Sequence, residues 1–104
     1  QVEMLMRSGR AAWCEPIRLE LWRGVGSVDD RKHLSRLEAD LLCLVIDQET
    51  WDTACRIADL GRAKGYQFPS QDLLIFCCSK QHDVALLSRD KHFDQLELIW
   101  KAVK

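Results

Sequence analysis

The sequence lacks an excess of charge of one sign, a long apolar run, and a linker rich in proline, glycine or serine. Its 15 Lys and Arg oppose 16 Asp and Glu, and the net charge of −1 favours neither nucleic acid nor a membrane surface as a partner, so any such site must be local. No apolar stretch approaches the ~20 residues of a membrane-spanning helix. Without a linker or an internal repeat, residues 1–104 are expected to form a single domain.

Metal-binding cysteine motifs are absent as well. The five cysteines show no Cys-x-x-Cys pair and no Cys/His spacing typical of zinc, and they fall inside apolar segments. This usage indicates reduced thiols and a cytoplasmic protein. Cys77 and Cys78 are neighbours in the sequence, and adjacent cysteines rarely form a disulfide, so core packing is their expected role.

The 47% of apolar residues are arranged in short runs that alternate with helical patterns. Strands are predicted at 11–14, 41–46, 84–87 and near 98–100. Helices are predicted at 15–24, 29–39, 49–64, 71–81 and 91–95, and residues 1–8 have the pattern of the end of a helix that stops at Gly9. Such alternation predicts an α/β/α sandwich with a short parallel sheet.

Two of these helices are expected to supply much of the core. In the helix at 49–64, a buried stripe is predicted from the spacing i, i+3, i+4, i+7 of Trp51, Ala54, Cys55 and Ala58. The helix at 71–81 has no polar side chain between residues 73 and 78, so it is predicted to be buried nearly all round.

Four carboxylates lie where predicted strands hand over to helices or just inside helix starts. They are Glu20, Asp72, Asp90 and Asp94. Open α/β sheets bind their ligands at such edges. Taken one at a time, a structural role explains each residue as well, since acids are favoured in a first helical turn by the helix dipole.

Three segments, 15–24, 69–75 and 87–93, together resemble the PIN domain, and most of all its small bacterial VapC-type toxins. Glu20 is followed by Leu, Trp, Arg and Gly; Gly65 makes a turn before the helix that carries Asp72; and residues 88–93 read Ser-Arg-Asp-x-x-Phe. Each motif alone is weak, but the three occur in the family's order with its spacing. The resemblance covers nearly the whole chain.

The resemblance implies a metal-dependent ribonuclease that uses Mg²⁺ or Mn²⁺. Matched residue by residue, Glu20, Asp72 and Asp90 are the expected catalytic acids and metal ligands, Asp94 is a further ligand, and Ser88 supports an acid. Carboxylates suit this role because hard divalent cations prefer oxygen ligands. Arg23, Arg89 and Lys91 could contact RNA phosphates, although a solvated rim explains them nearly as well. His92 could approach a substrate, but a solvent-exposed loop is its simpler expected position.

The implied partners are an RNA substrate, an antitoxin protein bound near the active site, and a second copy in a homodimer. The alternative, from another class, is a non-catalytic PIN-fold module that only binds a partner. A phosphate-handling α/β domain of receiver type is a weaker possibility, because its paired acids and downstream lysine are not found.

The chain departs from the family's pattern at its start. The family's first acidic residue lies on a central first strand, in an Asp-Thr or Asp-Ser segment, and no such segment occurs here. We therefore expect a PIN-like domain that lacks its first strand and is impaired as a nuclease. The strands at 11–14 and 84–87 would then lack a central neighbour, which favours self-association or a rearranged sheet.

Overall fold

The computed structural model describes residues 4–7, 10–87 and 91–103. Over those ranges the chain forms four strands and five helices, which confirms the predicted α/β class. Their order is β1 (Met4–Arg7), β2 (Arg10–Trp13), α1 (Glu15–Arg23), α2 (Val28–Asp40), β3 (Leu42–Cys43), α3 (Gln48–Ala63), α4 (Ser70–Gln81), β4 (Ala85–Leu87) and α5 (Lys91–Val103). None of the helices in these ranges is both long and apolar enough to cross a bilayer.

The sheet has the strand order β3-β2-β1-β4. The expected parallel pairing holds for β2 and β3, whereas β1 runs antiparallel to both β2 and β4. The reason lies in the spacing along the chain. Only two residues separate β1 from β2, and a parallel pair needs a crossover of a dozen residues or more.

Residues 4–7 form a strand, so the predicted helix end is wrong for this segment. Leu5 is fully buried, and β1 lies between β2 and β4, the two strands that were expected to lack a central neighbour. A helix of so few residues is weak on its own, because its nucleation cost exceeds what a few hydrogen bonds return. As a strand between two others with unpaired backbone groups, this segment forms more hydrogen bonds than it would as a short helix.

The predicted last strand near 98–100 is also wrong, because α5 runs without a break through these residues. Phe93, Leu96 and Ile99 are buried at a helical spacing of three. A short apolar run such as 98–100 does not by itself distinguish a strand from the buried face of a helix.

β3 is shorter than the predicted strand at 41–46. Only Leu42 and Cys43 form it, although the backbone N–H of Leu44 also donates to the Trp13 carbonyl at 2.8 Å. Val45 is 68% exposed, so the run leaves the core before it reaches α3.

α4 is the centre of the core and packs against α1, α3, α5 and β4. Ile75, Phe76 and Cys78 are buried on different sides of this helix, which confirms the predicted burial all round. Cys77 is buried beside them, so core packing is confirmed for the cysteine pair. Burial raises the pKa of the Cys77 thiol to about 11, and the thiol therefore stays protonated at neutral pH.

The buried stripe of α3 differs from the predicted one. It consists of Thr50, Ala54, Ile57 and Gly61, while Trp51 and Cys55 are exposed. Packing against α4 and α5 selects this face. At the start of the helix, the Asp47 carboxylate accepts from the backbone N–H of Thr50 at 3.0 Å and from its hydroxyl at 3.1 Å. At the other end, the absence of a side chain at Gly61 lets Phe68 pack closely, since a Cβ there would lie 2.8 Å from Phe68 Cε2.

Candidate active site and adjoining groove

The candidate active site is built on the first turn of α4. Pro69 precedes the helix in an extended conformation, as the fixed φ of proline allows at a helix start. Asp72 follows within the first turn, where the helix dipole favours a negative charge. Its side chain is only 17% exposed, which is low for an acid and directs attention to what it contacts.

Asp72 contacts His92 in the first turn of α5. The distance from His92 Nδ1 to Asp72 Oδ2 is 3.1 Å. An ionised carboxylate can only accept, so Nδ1 carries the hydrogen and donates it. His92 is 30% exposed and lies within a helix, so the expected exposed loop is wrong. The contact joins the starts of α4 and α5, the two helices whose first turns carry predicted acids.

The other predicted acids have different surroundings. Asp94 is exposed in the first turn of α5. Glu20 is exposed on α1 and forms an ion pair with Arg23, whose Nη1 lies 3.7 Å from the Glu20 Oε2. Ser88, Arg89 and Asp90 lie outside the described residues, as does the side chain of Lys91.

A hard divalent cation fits the chemistry of the candidate acids, because each of them supplies carboxylate oxygens. Within residues 4–7, 10–87 and 91–103, no group of three His, Cys, Asp or Glu side chains is placed to hold a metal ion. Asp90 stands two positions before His92 in the sequence, outside those ranges. The convergence of Glu20, Asp72 and Asp90 therefore stays a prediction.

An open apolar groove with a volume of about 980 Å³ adjoins the first turn of α4. Gln71 and Leu74 line the groove from α4. Leu19, Val45 and Trp51 also line it and expose apolar surface. The remaining lining residues are Glu15, Pro16, Arg18, Trp22, Cys43, Leu44 and Ile46. The groove was missed in the sequence because Trp51 was assigned to the core. No local signal marks Trp51 as exposed, because the choice of buried face depends on what packs against α3.

A polar network fixes one edge of the groove. The Arg18 guanidinium donates to Glu38 at 2.5 Å and to Glu15 at 3.2 Å, and the Trp22 indole also donates to Glu38 at 3.2 Å. The Arg18 bond, assisted by Trp22, holds the pKa of the Glu38 carboxyl below its ordinary value. Two carboxylates thus share one guanidinium, so this edge has a surplus of one negative charge.

Comparison with known families gives one result for this architecture. The family model of the PIN domain matches residues 1–98, a range that includes every candidate acid and the start of α5. No curated protein matches the chain.

Proposed function

This chain belongs to the PIN domain family, and from that membership we propose that it is a metal-dependent endoribonuclease. PIN domains are generally metal-dependent nucleases. The observation that carries the proposal is Asp72: a sparingly exposed acid at the start of α4, hydrogen-bonded to the start of α5, at the position where the PIN-like motif has its acid. A carboxylate in this position can bind a cation that residues near the start of α5 also bind.

We propose that Glu20, Asp72 and Asp90 hold a divalent cation, Mg²⁺ or Mn²⁺, with Asp94 at the rim. Ser88 would support one of these acids by a hydrogen bond. A bound cation of this kind lowers the pKa of a coordinated water and offsets charge on the phosphate. In this proposal Glu20 gives up its exposed ion pair with Arg23 for the cation, which costs little because such pairs are weak.

RNA is the proposed substrate. Arg23, Arg89 and Lys91 flank the acidic motifs in the sequence and are the proposed phosphate contacts. Arg23 supports this role from the described part of the chain, because its side chain is 72% exposed and extends from the same helix as Glu20.

We also propose that the protein is the cytoplasmic toxin of a toxin–antitoxin pair and forms a homodimer. The groove beside α4 supports a peptide partner more than a nucleic acid, since its exposed surface comes from Leu19, Val45 and Trp51. Amphipathic helices bind in apolar grooves of this kind. The negative surplus at the edge favours a partner segment that carries a basic residue near its apolar anchors.

Cleavage of a single-stranded or structured RNA by the full-length protein tests the nuclease proposal. Cleavage is expected with Mg²⁺ or Mn²⁺ and not with EDTA. Asp72→Asn and Asp90→Asn are expected to lower the rate by about 100-fold or more, comparable with the loss of a group that stabilises charge in a transition state. Asp59→Asn is the control, because Asp59 is exposed on α3 and pairs only with Arg62 among the contacts described.

Two outcomes would count against this proposal. Cleavage that survives EDTA, or full activity in both variants, would contradict a carboxylate-held cation. A folded wild-type protein that cleaves no RNA with either metal would favour the alternative, a non-catalytic PIN-fold binding module.

A further inference from the structure

We propose that His92 is a positioning residue for Asp72: its Nδ1–H fixes the rotation of the carboxylate and so aims the group before a cation binds. The inference rests on the proposed function, in which Asp72 is a cation ligand. His92 does not coordinate the cation in this proposal. It acts through the oxygen that it holds.

The geometry of the contact supports this role. The terminal torsion of an aspartate is broad, so an unrestrained carboxylate samples many orientations. The bond from Nδ1 to Oδ2 at 3.1 Å restricts that torsion, and with it the direction of both oxygens. Because the two side chains are 30% and 17% exposed, less water competes for the bond than at an open surface.

The imidazole ring is itself held by packing. Phe68 meets it edge-on with ring centroids 6.3 Å apart, and Phe68 in turn stacks on Tyr66 at 5.5 Å. Phe68 also lies over Gly61 of α3. A donor that is fixed in this way loses little further side-chain entropy when it orients a metal ligand. Residues that hydrogen-bond to metal ligands influence metal affinity by orienting them.

A contact that only held α4 and α5 together would have the same geometry. The test therefore uses variants that remove the N–H donor and the aromatic ring of His92 separately. His92→Asn keeps an N–H donor at about the place of Nδ1 and removes the ring. His92→Phe keeps an aromatic ring against Phe68 and removes the donor. His92→Leu removes the donor as well, so the comparison survives if one of these two variants does not fold.

Mn²⁺ is titrated into the folded full-length variants by calorimetry, with the bound ion followed by its electron paramagnetic resonance spectrum. His92→Phe and His92→Leu are expected to bind Mn²⁺ at least about tenfold more weakly than the wild type, while His92→Asn stays within about threefold. In RNA cleavage, the Mn²⁺ concentration for half-maximal rate should rise in parallel, with most of kcat recovered at saturating metal. His33→Phe, at an exposed site on α2, is the histidine control.

The outcomes separate the positioning role of His92 from the proposed function. If the wild type binds Mn²⁺, Asp72→Asn does not, and His92→Phe binds as tightly as the wild type, the positioning role is overturned while the proposed function stands. If His92→Asn binds as weakly as His92→Phe, an N–H donor at the place of Nδ1 does not preserve the affinity, which also overturns the positioning role. If Asp72→Asn binds Mn²⁺ like the wild type, the proposed function itself fails.

Discussion

The two sides of the first turn of α4 differ in chemistry although they start from adjacent residues. Gln71, together with Leu74, lines an open apolar groove, whereas Asp72 meets His92 across the junction with α5. An α-helix turns by about 100° per residue, so one rigid helix can direct neighbouring side chains to separate surfaces. The difference teaches that the proposed sites of cleavage and of partner binding can be supported by one helix without sharing contacts. Changes in the buried part of α4 should therefore damage both sides, and changes at either surface should affect one.

The largest expected effect comes from removing that shared support. Phe76 is buried in α4 and meets Trp100 edge-on with centroids 6.1 Å apart. Phe76→Ala is expected to lower the free energy of unfolding by about 3–5 kcal/mol, through lost burial and the cavity left behind. Urea unfolding measures this. Leu37→Ala, at a half-exposed position on α2, should change it by less than about 0.5 kcal/mol. A similar loss in both variants would show that the buried part of α4 contributes no more to stability than an exposed helix face.

A smaller effect is expected at the aromatic contact behind the acidic side. Gly61→Ala would place a Cβ 2.8 Å from Phe68 Cε2 and 3.3 Å from Ile99 Cδ1. Overpacking of this kind costs about 1–3 kcal/mol of unfolding free energy. Combining it with Phe68→Leu should recover part of the loss, because the clash is with the aromatic ring. If thermal unfolding shows no loss in Gly61→Ala, Phe68 is not held closely enough to orient His92.

The groove side should respond to Trp51. Trp51→Ala removes an exposed aromatic from the groove, and truncation of such an anchor commonly weakens a protein partner by about tenfold, or about 1.4 kcal/mol. The measurement is the concentration of the proposed antitoxin that halves the proposed RNA cleavage, taken relative to each variant's own uninhibited rate. Leu98→Ala, an exposed apolar position on α5 outside the groove, is the matched control. Equal inhibition of Trp51→Ala and wild type would place the partner elsewhere.

The smallest expected effect is the pH dependence of the groove's edge. Hydrogen bonds from Arg18 and Trp22 lower the pKa of Glu38 in the folded protein relative to the ordinary value of 4.5. The stability from this interaction is therefore present above about pH 4.5 and is lost as the pH falls through the lower folded-state value. Melting temperatures of wild type and Glu38→Gln, compared from neutral pH downwards, should converge in acid. A gap that widens as the pH falls would reverse the sign of this interaction.

Local sequence signals predicted the helices well because their determinants lie within a few residues. The Asp47 cap, Pro69 at the start of α4 and the apolar residues 73–78 each act through neighbours in the chain. The predicted position of Asp72 in a first turn is confirmed for the same reason. The placement of Glu20, Asp72 and Asp90 around one cation stays a prediction.

Distant partners decided the rest. Met4–Arg7 became a strand because it lies between β2 and β4, and residues 98–100 stayed helical because Ile99 is buried on α5. The sequence by itself determined the α/β class, the buried helix α4 and the acid at its start. Only the tertiary structure decided that His92 meets Asp72 and that Trp51 faces a groove. Both depend on how helices far apart in the sequence pack against each other, and packing of that kind has no local signature.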